Sequence, residues 1–288
     1  MKAAQIDLDG AVVAITGGAR GIGLSTAKAF AARGARVAIG DLDGDATDEV
    51  ARGIGPHAIG LQLDVTDRES FAEFVEAVEN QLGPIDVIVN NAGIMPAGPF
   101  LDEQPETSDA QIDVNLRGPI HGMKLALPGM IARGQGHVVN VASMAGKAHI
   151  PGLAVYNATK YGVVGLSEAV RDELDGTGVT LTAILPTAVK TELISGLPAK
   201  GLMAVTPERV ANAVVDSVGH RRAEVAVPRW FNNYTFLNSL MPRPVMRWFR
   251  KRRGAWRLMQ PTSIDTSARS KYDERISDGS DRKDSAIR

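Results

Sequence analysis

The sequence contains no cysteine, no long apolar run and almost no net charge. Without cysteine, the 288-residue chain forms neither disulfides nor thiolate metal sites, and it lacks a thiol nucleophile. No apolar run reaches the length of about 18 residues that a transmembrane helix needs. Lysine and arginine (32) balance aspartate and glutamate (33), which argues against a nucleic-acid partner. The start, MKAAQIDLDG, lacks the apolar core of a secretory signal, so we expect a cytoplasmic protein.

Short runs rich in valine and isoleucine alternate with longer amphipathic stretches between positions 11 and 228. The runs read AVVAIT, ARVAIGD, HAIGLQLDV, DVIVNNAG, GHVVNVAS, VTLTAILPT and AEVAVP. Most are nearly continuous in apolar character, as is typical of strands covered on both faces. Candidate helices between the runs include 24–33, 69–82, 154–174 and 207–220. The alternation predicts an α/β fold with a doubly wound parallel sheet (Rossmann-type), forming a single domain over residues 1–228.

A glycine-rich loop, TGGARGIG from Thr16, follows the first predicted strand and opens the first helix. Glycines at such a turn let the backbone approach a pyrophosphate, and the N-terminus of the following helix favours an anion. We therefore predict a dinucleotide site in this loop. Its residues are Gly17, Ala19, Arg20, Gly21, Ile22 and Gly23. The alternative is a tight strand–helix turn without a ligand.

Asp41 ends the second predicted strand, about 20 residues after the glycines. A carboxylate there accepts hydrogen bonds from the ribose 2′-hydroxyl of NAD and repels the 2′-phosphate of NADP. Arg20 favours the other cofactor, because a guanidinium pairs with a phosphate. We weigh Asp41 more heavily and expect NAD, with NADP as the alternative. Asp41 could also be a solvated turn residue in the acidic stretch GDLDGD.

Several motifs together resemble the short-chain dehydrogenase/reductase family over roughly residues 8–228. Besides the glycine loop they are Asp64-Val65, Asn90-Asn91-Ala92-Gly93, Asn115, Ser143 and Tyr156-x-x-x-Lys160. A Tyr-x-x-x-Lys alone is weak evidence. Its place after a strand-end serine, with the glycine loop and NNAG upstream, makes the set specific. The resemblance implies an oxidoreductase that uses NAD(P) and forms a homo-oligomer.

The chemistry of hydride transfer explains why a tyrosine and a lysine occur together. Oxidation of an alcohol releases the hydroxyl proton, and Tyr156 is the candidate acid or base, although a free phenol has a pKa of about 10. Lys160 lies one helical turn away, and we expect its ammonium group to lower that pKa. The resemblance further implies that Lys160 binds the nicotinamide ribose, that Ser143 polarises the substrate oxygen, and that Asn115 holds a relay water. A surface Tyr–Lys pair, a strand-end serine and a structural amide are the alternatives.

The resemblance also assigns the remaining cofactor positions. They are Asp64, Val65, Asn91, Ala92, Gly93, Val189 and Thr191. Asp64 would contact adenine unless it is only a turn residue, whereas the NNAG motif would support the end of the fourth strand beside the cofactor. At Pro186-Thr187 the family usually has Pro-Gly, so a positive φ at Thr187 would be costly. The five histidines show no metal-ligand spacing, and we expect no metal.

Two segments, 144–155 and 191–206, are expected to form the substrate pocket, and both contain few charges. We therefore predict a lipophilic secondary alcohol or ketone, of a steroid-like or retinoid-like class, as the substrate. An NADPH-dependent carbonyl reductase is the alternative enzyme. A nucleotide-binding sensor or scaffold without turnover is the alternative from another functional class.

The sequence changes in character after residue 228. Seven of the fourteen aromatic residues lie between Trp230 and Trp256, and no acidic residue occurs from Val225 to Ile264. We predict a helical extension over 229–260 that docks on the core or on an oligomer partner, or else makes a peripheral membrane contact. Binding of nucleic acid through the RKRR run at 250–253 is the least favoured reading. Residues 261–288 are predicted to be a disordered polar tail.

Overall fold

The computed structural model describes residues 6–197, 204–231, 265, 267–270 and 272–274. Strands and helices alternate along the chain. The strands are β1 (Val12–Thr16), β2 (Arg36–Asp41), β3 (Ala58–Gln62), β4 (Val87–Asn90), β5 (Gly136–Val141), β6 (Val179–Pro186) and β7 (Glu224–Val227). The helices are α1 (Gly21–Ala31), α2 (Gly44–Ile54), α3 (Arg68–Leu82), α4 (Pro105–Ile112), α5 (Gly118–Arg133), α6 (Ala154–Glu173) and α7 (Pro207–His220).

The strands form one parallel sheet in the order β3-β2-β1-β4-β5-β6-β7. The order runs outward in both directions from the centre, so the predicted doubly wound α/β fold is confirmed. The chain reverses its winding between β1 and β4, where the loops after these two strands diverge. In sheets of this kind the crevice at that point binds ligands, which directs attention to the carboxyl ends of β1 and β4.

The sheet buries both of its faces, which explains the nearly continuous apolar runs. On β1, Val13 and Ile15 join the apolar cluster that α1 and α7 cover, whereas Val12 and Ala14 join the cluster under α3 and α5. Successive strand residues point to opposite faces, so a strand packed on both sides needs apolar residues at every position. The two clusters support the sheet beneath the loops at its carboxyl edge.

A buried imidazole joins three elements of the core. Nδ1 of His137 lies 2.7 Å from Oγ1 of Thr180, and its Nε2 lies 3.1 Å from Oγ of Ser217. Burial, assisted by the charges of Arg221 and Arg171, lowers the pKa of His137 to about 3. This histidine is therefore neutral and structural.

The C-terminal predictions fall partly outside the described residues. Of the extension predicted over 229–260, only 229–231 are described, so its docking or membrane role stays a prediction. In the tail predicted to be disordered, 267–270 and 272–274 are helical, and Arg269 and Tyr272 are buried. Disorder is therefore wrong for these residues, because composition measures apolar content, whereas this segment is held by hydrogen bonds to the core. Among the described helices, none has both the length and the apolar character to cross a bilayer.

Candidate active site

The glycine loop after β1 is packed so closely that side chains would not fit. Gly17 has a φ of +63°, and a Cβ there would lie 2.8 Å from Cα of Ala92. A Cβ on Gly23 would lie 2.1 Å from the carbonyl oxygen of Gly17. Both approaches are shorter than non-bonded atoms tolerate, so the loop conformation depends on glycine at these positions. The same closeness leaves a backbone cradle at the start of α1.

The segment after β4 braces this loop. Oγ1 of Thr16 accepts hydrogen bonds from the N–H groups of Asn91 (3.0 Å) and Ala92 (3.1 Å). In return, Nδ2 of Asn91 donates to the carbonyls of Thr16 and Gly17, each at 2.9 Å. Asn91 and Ala92 thus hold the cradle in place with these groups. The sequence had not assigned a role to Thr16, although its position at the strand end before the glycines is a usable signal.

Two acidic residues lie at the other end of the cradle. Oδ2 of Asp41 accepts from the N–H of Ala19 at 3.1 Å. Asp41, the residue predicted to bind the ribose, therefore lies beside the loop. Nη2 of Arg20 lies 2.8 Å from Oδ2 of Asp43. Arg20 is also the N-cap residue of α1, and no side chain of the described residues caps this helix. The first N–H groups of α1 therefore remain available to an anion, as at phosphate sites.

Asp64 and Val65 lie after β3 and are engaged in local structure. Oδ1 of Asp64 accepts from both the N–H (2.8 Å) and the hydroxyl (2.7 Å) of Thr66. The Val65 carbonyl oxygen lies 3.2 Å from Nδ1 of His121, and its side chain packs where a Cβ on Gly118 would lie. Asp64 is thus at least a turn residue.

Ser143, Tyr156 and Lys160 are brought together at the carboxyl edge of β5. Ser143 follows β5, whereas Tyr156 and Lys160 lie one turn apart on α6, and these two are only 6% and 5% exposed. The Ser143 hydroxyl hydrogen-bonds to the Tyr156 phenol oxygen. Nζ of Lys160 lies 5.7 Å from the centre of the Tyr156 ring and donates to the carbonyl of Val141 at 3.1 Å. The motif is therefore a buried cluster and not a surface pair.

The electrostatics of the cluster differ from the expectation. Burial raises the pKa of Tyr156 to about 12, opposed by the Ser143 hydrogen bond. Burial also lowers the pKa of Lys160 to about 8. The expectation that Lys160 brings the Tyr156 pKa down toward neutral pH is therefore wrong, because desolvation of the phenolate is the larger effect. At neutral pH the phenol holds its proton and Lys160 is mainly charged.

Asn115 ties this cluster to the segment after β4. Its Oδ1 accepts from the N–H of Ile94 and its Nδ2 donates to the carbonyl of Ile94, both at 2.8 Å. The residue lies in a π-helical turn, Asp113–Arg117, between α4 and α5. A Cβ on Gly93 would lie 3.1 Å from Oδ1 of Asn115 and 3.6 Å from Nζ of Lys160. The side chain of Asn115 thus holds the segment after β4 in place, and its part in a proton relay stays a prediction.

The loop after β6 faces the glycine loop. Thr187 donates its N–H to the carbonyl of Val227 at 2.9 Å, and among the described non-glycine residues only Arg221 has a positive φ. The replacement of the usual glycine at Thr187 is therefore accommodated without left-handed backbone. A Cβ on Gly21 would lie 3.1 Å from Cγ2 of Thr191, and Val189 is buried in a bridge to Val205. A cleft of about 560 Å³ separates the two loops.

Apolar side chains form a wall beside Tyr156. Met95, Ala145 and Leu153 form a buried cluster with it. Further apolar side chains pack against this cluster from three loops: Ala97, Ile150, Leu193, Ile194 and Leu197. Within the described part of the chain, no group of three histidine, aspartate or glutamate side chains could hold a metal ion.

Comparison with known proteins agrees with this geometry. The family model described as short chain dehydrogenase matches residues 11–200, so the chain belongs to the short-chain dehydrogenase family. It is 38% identical over 196 residues to the 3-oxoacyl-[acyl-carrier-protein] reductase FabG of Thermotoga maritima, covering 67% of this chain and 80% of that protein.

Other relatives are much longer. The glycine betaine reductase ATRR of Emericella nidulans is 35% identical over 222 residues, and the probable oxidoreductase EphD of Mycobacterium tuberculosis is 36% identical over 235. The matches cover 72% and 73% of this chain but only 17% and 40% of those proteins. A crystal structure of a short-chain dehydrogenase from Burkholderia phymatum in complex with NAD shares the fold, with a TM-score of 0.74 and 24% identity over 81% of this chain and 94% of that one.

Proposed function

We propose that the protein is an NAD-dependent oxidoreductase that interconverts an apolar secondary alcohol and its ketone, acting chiefly as a ketone reductase at neutral pH. The observation that carries the proposal is the buried cluster of Ser143, Tyr156 and Lys160 beside the glycine cradle. Hydroxyl groups bonded to each other next to an ammonium group are suited to protonate a carbonyl oxygen.

The cradle fits a dinucleotide. Gly17 and Gly23 remove the side chains that would fill it, and the uncapped start of α1 offers N–H groups to the pyrophosphate. Asp41 would accept from the adenosine ribose, whereas Lys160, Val189 and Thr191 would hold the nicotinamide half. When bound, the nicotinamide supplies or accepts the hydride.

The choice of NAD over NADP rests on charge. Arg20 would have to reach the 2′-phosphate of NADP, but its guanidinium is held by Asp43 at 2.8 Å. Asp41 lies two residues before Asp43 and adds a second negative charge at the same place. A 2′-phosphate there would be repelled by the carboxylates of Asp41 and Asp43, whereas the guanidinium of Arg20 is already paired. The NAD bound to the Burkholderia relative is consistent with this preference.

Proton transfer follows from the two pKa shifts. Because burial raises the pKa of Tyr156 to about 12, its hydroxyl is protonated at pH 7 and can donate to the ketone oxygen as the carbonyl carbon is reduced. The Ser143 hydroxyl steadies the phenolate that remains, and the Lys160 ammonium favours that charge. In the opposite direction Tyr156 must first lose its proton, which makes alcohol oxidation a reaction of higher pH.

The substrate class rests on the apolar wall. Met95, Leu153 and the side chains around them present hydrocarbon beside the Tyr156 hydroxyl. Such a surface favours a hydrocarbon-bearing ketone and disfavours a carboxylate or phosphate, because a charged group would be desolvated there without a partner. A steroid-like or retinoid-like skeleton is one member of this class. We further propose a homo-oligomer, as the family resemblance implies.

The test is consumption of NADH by the purified full chain in the presence of ketones. The panel runs from acetone through aliphatic and alicyclic ketones to keto acids of matched size. We expect turnover that increases with apolar surface and is absent with the keto acids, and slower turnover with NADPH than with NADH. Tight binding of NADH without turnover of any member would contradict the proposal and favour a nucleotide sensor.

A further inference from the structure

Part of the C-terminal tail lies on the two loops that line the apolar wall. We call residues 265, 267–270 and 272–274 the tail segment. They lie far from the catalytic residues in sequence, yet Arg269 and Tyr272 are only 2% and 5% exposed. Their burial requires an explanation, since an arginine is almost never fully buried unless its charge and donors are matched.

Arg269 supplies donors to both loops. Its Nη2 donates to the carbonyl of Met95, in the loop after β4. Its Nη1 donates to the carbonyls of Leu193 (3.4 Å) and Ser195 (3.1 Å), in the loop after β6. Nε pairs with Oδ1 of Asp273 at 3.2 Å. The guanidinium therefore cross-links the loop after β4 and the loop after β6.

Tyr272 and Asp265 reinforce the same contacts. The Tyr272 hydroxyl oxygen accepts from the N–H of Met95 at 2.7 Å, so both backbone groups of Met95 are bonded to the tail segment. The N–H of Asp265 donates to the carbonyl of Gly196 at 2.9 Å. The guanidinium carbon of Arg269 lies 4.8 Å from the centre of the Tyr272 ring, which keeps the two side chains together.

The loops so fixed carry the apolar wall of the site. Met95 packs in the same cluster as Tyr156, and Leu193 and Ile194 pack against that cluster. Ile194 and Ser195 also line the cleft that faces the glycine loop. Movement of either loop by about 1 Å would displace a substrate relative to the Tyr156 hydroxyl, a displacement that can reduce rates by about 10²-fold.

We infer that the tail segment is a built-in clamp that fixes the substrate loops after β4 and β6, with Arg269 as its positioning residue. The inference rests on the proposed function for its effect on catalysis. The clamp itself rests on the contacts alone. A lysine cannot replace Arg269, because one ammonium group cannot reach three carbonyls in two loops and a carboxylate at once.

The experiment compares the full chain with Arg269→Lys and Tyr272→Phe, and uses Ser270→Ala as the matched control. Ser270 lies on the exposed side of the same segment, where its hydroxyl donates to the carbonyl of Ser267, the one bond it makes to a residue that the structure describes. Hydrogen exchange of peptides covering 93–98 and 192–197 is measured without substrate. The KM and kcat for the best ketone and the Kd for NADH are measured in parallel.

We expect Arg269→Lys to speed exchange in both peptides by about tenfold or more and to raise KM for the ketone by about tenfold, with the Kd for NADH changed less than about threefold. Tyr272→Phe should speed exchange chiefly at 93–98, and Ser270→Ala should behave as the parent protein.

Unchanged exchange in Arg269→Lys would overturn the clamp. An equal loss of NADH affinity and ketone turnover would also overturn it, since the segment would then support the whole domain. If no ketone is reduced by the parent protein, the proposed function fails, and the exchange rates still decide whether the clamp exists.

Discussion

Arg20 and Asp43 form an ion pair of 2.8 Å at the edge of the glycine cradle. Arg20 is the only charged residue of the glycine loop, and hence the only one that could attract a 2′-phosphate. Its guanidinium is paired with the Asp43 carboxylate. Both side chains are partly exposed, so the pair contributes little to stability. We expect the pair to matter for nucleotide choice, because it withholds the Arg20 guanidinium from the 2′-phosphate of NADP.

Replacing Asp43 by asparagine should shift the protein toward NADPH. The Oδ1 of Asp43 also caps α2 by accepting from the N–H of Ala46 at 3.1 Å, and asparagine preserves such a cap while removing the charge. We expect the Kd for NADPH to fall by about tenfold, since a charge-assisted bond to phosphate contributes about 1.5–3 kcal/mol. Titration with both nucleotides measures the change. In the double variant Asp43→Asn, Arg20→Ala the gain should disappear, and an unaltered ratio of the two Kd values in the single variant would refute the role of the pair.

A methyl group at Gly23 should damage the cradle without unfolding the protein. The added Cβ would lie 2.1 Å from the carbonyl of Gly17, so the loop must shift at a cost of about 1–3 kcal/mol in nucleotide affinity. Gly165→Ala is the control, because a Cβ there meets nothing within 4 Å and α6 gains about 0.5–1 kcal/mol of stability. Calorimetric titration should show weaker NADH binding for Gly23→Ala than for Gly165→Ala, and thermal unfolding should show that both variants are folded. Equal NADH affinity in both would show that the loop tolerates a side chain.

The pH dependence of ketone reduction should report Lys160. Below its pKa of about 8 the ammonium favours the phenolate that Tyr156 becomes after donating its proton; above that pH the charge is lost. Tyr156, with a pKa of about 12, stays protonated throughout this range. We therefore expect kcat/KM for reduction to be flat below about pH 8 and to fall above it. A profile that instead rises through pH 8 would mean that loss of a proton from Tyr156 limits the reaction.

Acid should destabilise the fold through His137. Its folded pKa is about 3, below the ordinary value of 6.5, so at a pH under 6.5 the unfolded chain takes up a proton that the folded chain refuses. The free energy of unfolding should fall by up to about 1.4 kcal/mol per pH unit between pH 6.5 and 3 from this group. Urea unfolding at pH 7.5 and 5.5 tests it. His137→Asn should be less stable but less sensitive to pH, whereas the exposed His220→Asn should keep the parent slope; the same slope in all three proteins would exclude His137 as the cause.

The parallel sheet was predictable because its signals are local. Each apolar run that the sequence offered became a strand, since a strand buried on both faces must be apolar at every position, as β1 illustrates. Tyr156 and Lys160 were predictable as neighbours because a spacing of four residues on a helix brings side chains together.

Two features were beyond sequence reasoning for physical reasons. The pKa of Tyr156 depends on how deeply the phenol is buried, and burial is a property of the assembled loops that spacing does not reveal. The tail segment has few apolar residues, and its place on the core depends on Arg269 meeting carbonyls of residues some 75 and 174 positions away. Backbone carbonyls occur at every residue, so no side-chain pattern marks them as partners.

In the proposed reaction Tyr156 transfers a proton while a hydride moves between nucleotide and substrate. The most direct test uses NADH carrying deuterium at C4 and the best apolar ketone, and compares the parent protein with Tyr156→Phe and Tyr161→Phe. Tyr161 lies on the same helix but is 44% exposed, so its variant controls for loss of a hydroxyl from α6. We predict deuterium in the alcohol carbon with the parent and Tyr161→Phe, and a rate lower by about 10²–10⁴-fold with Tyr156→Phe while NADH still binds. Deuterium transfer at the same rate by Tyr156→Phe and the parent protein would contradict proton transfer by Tyr156.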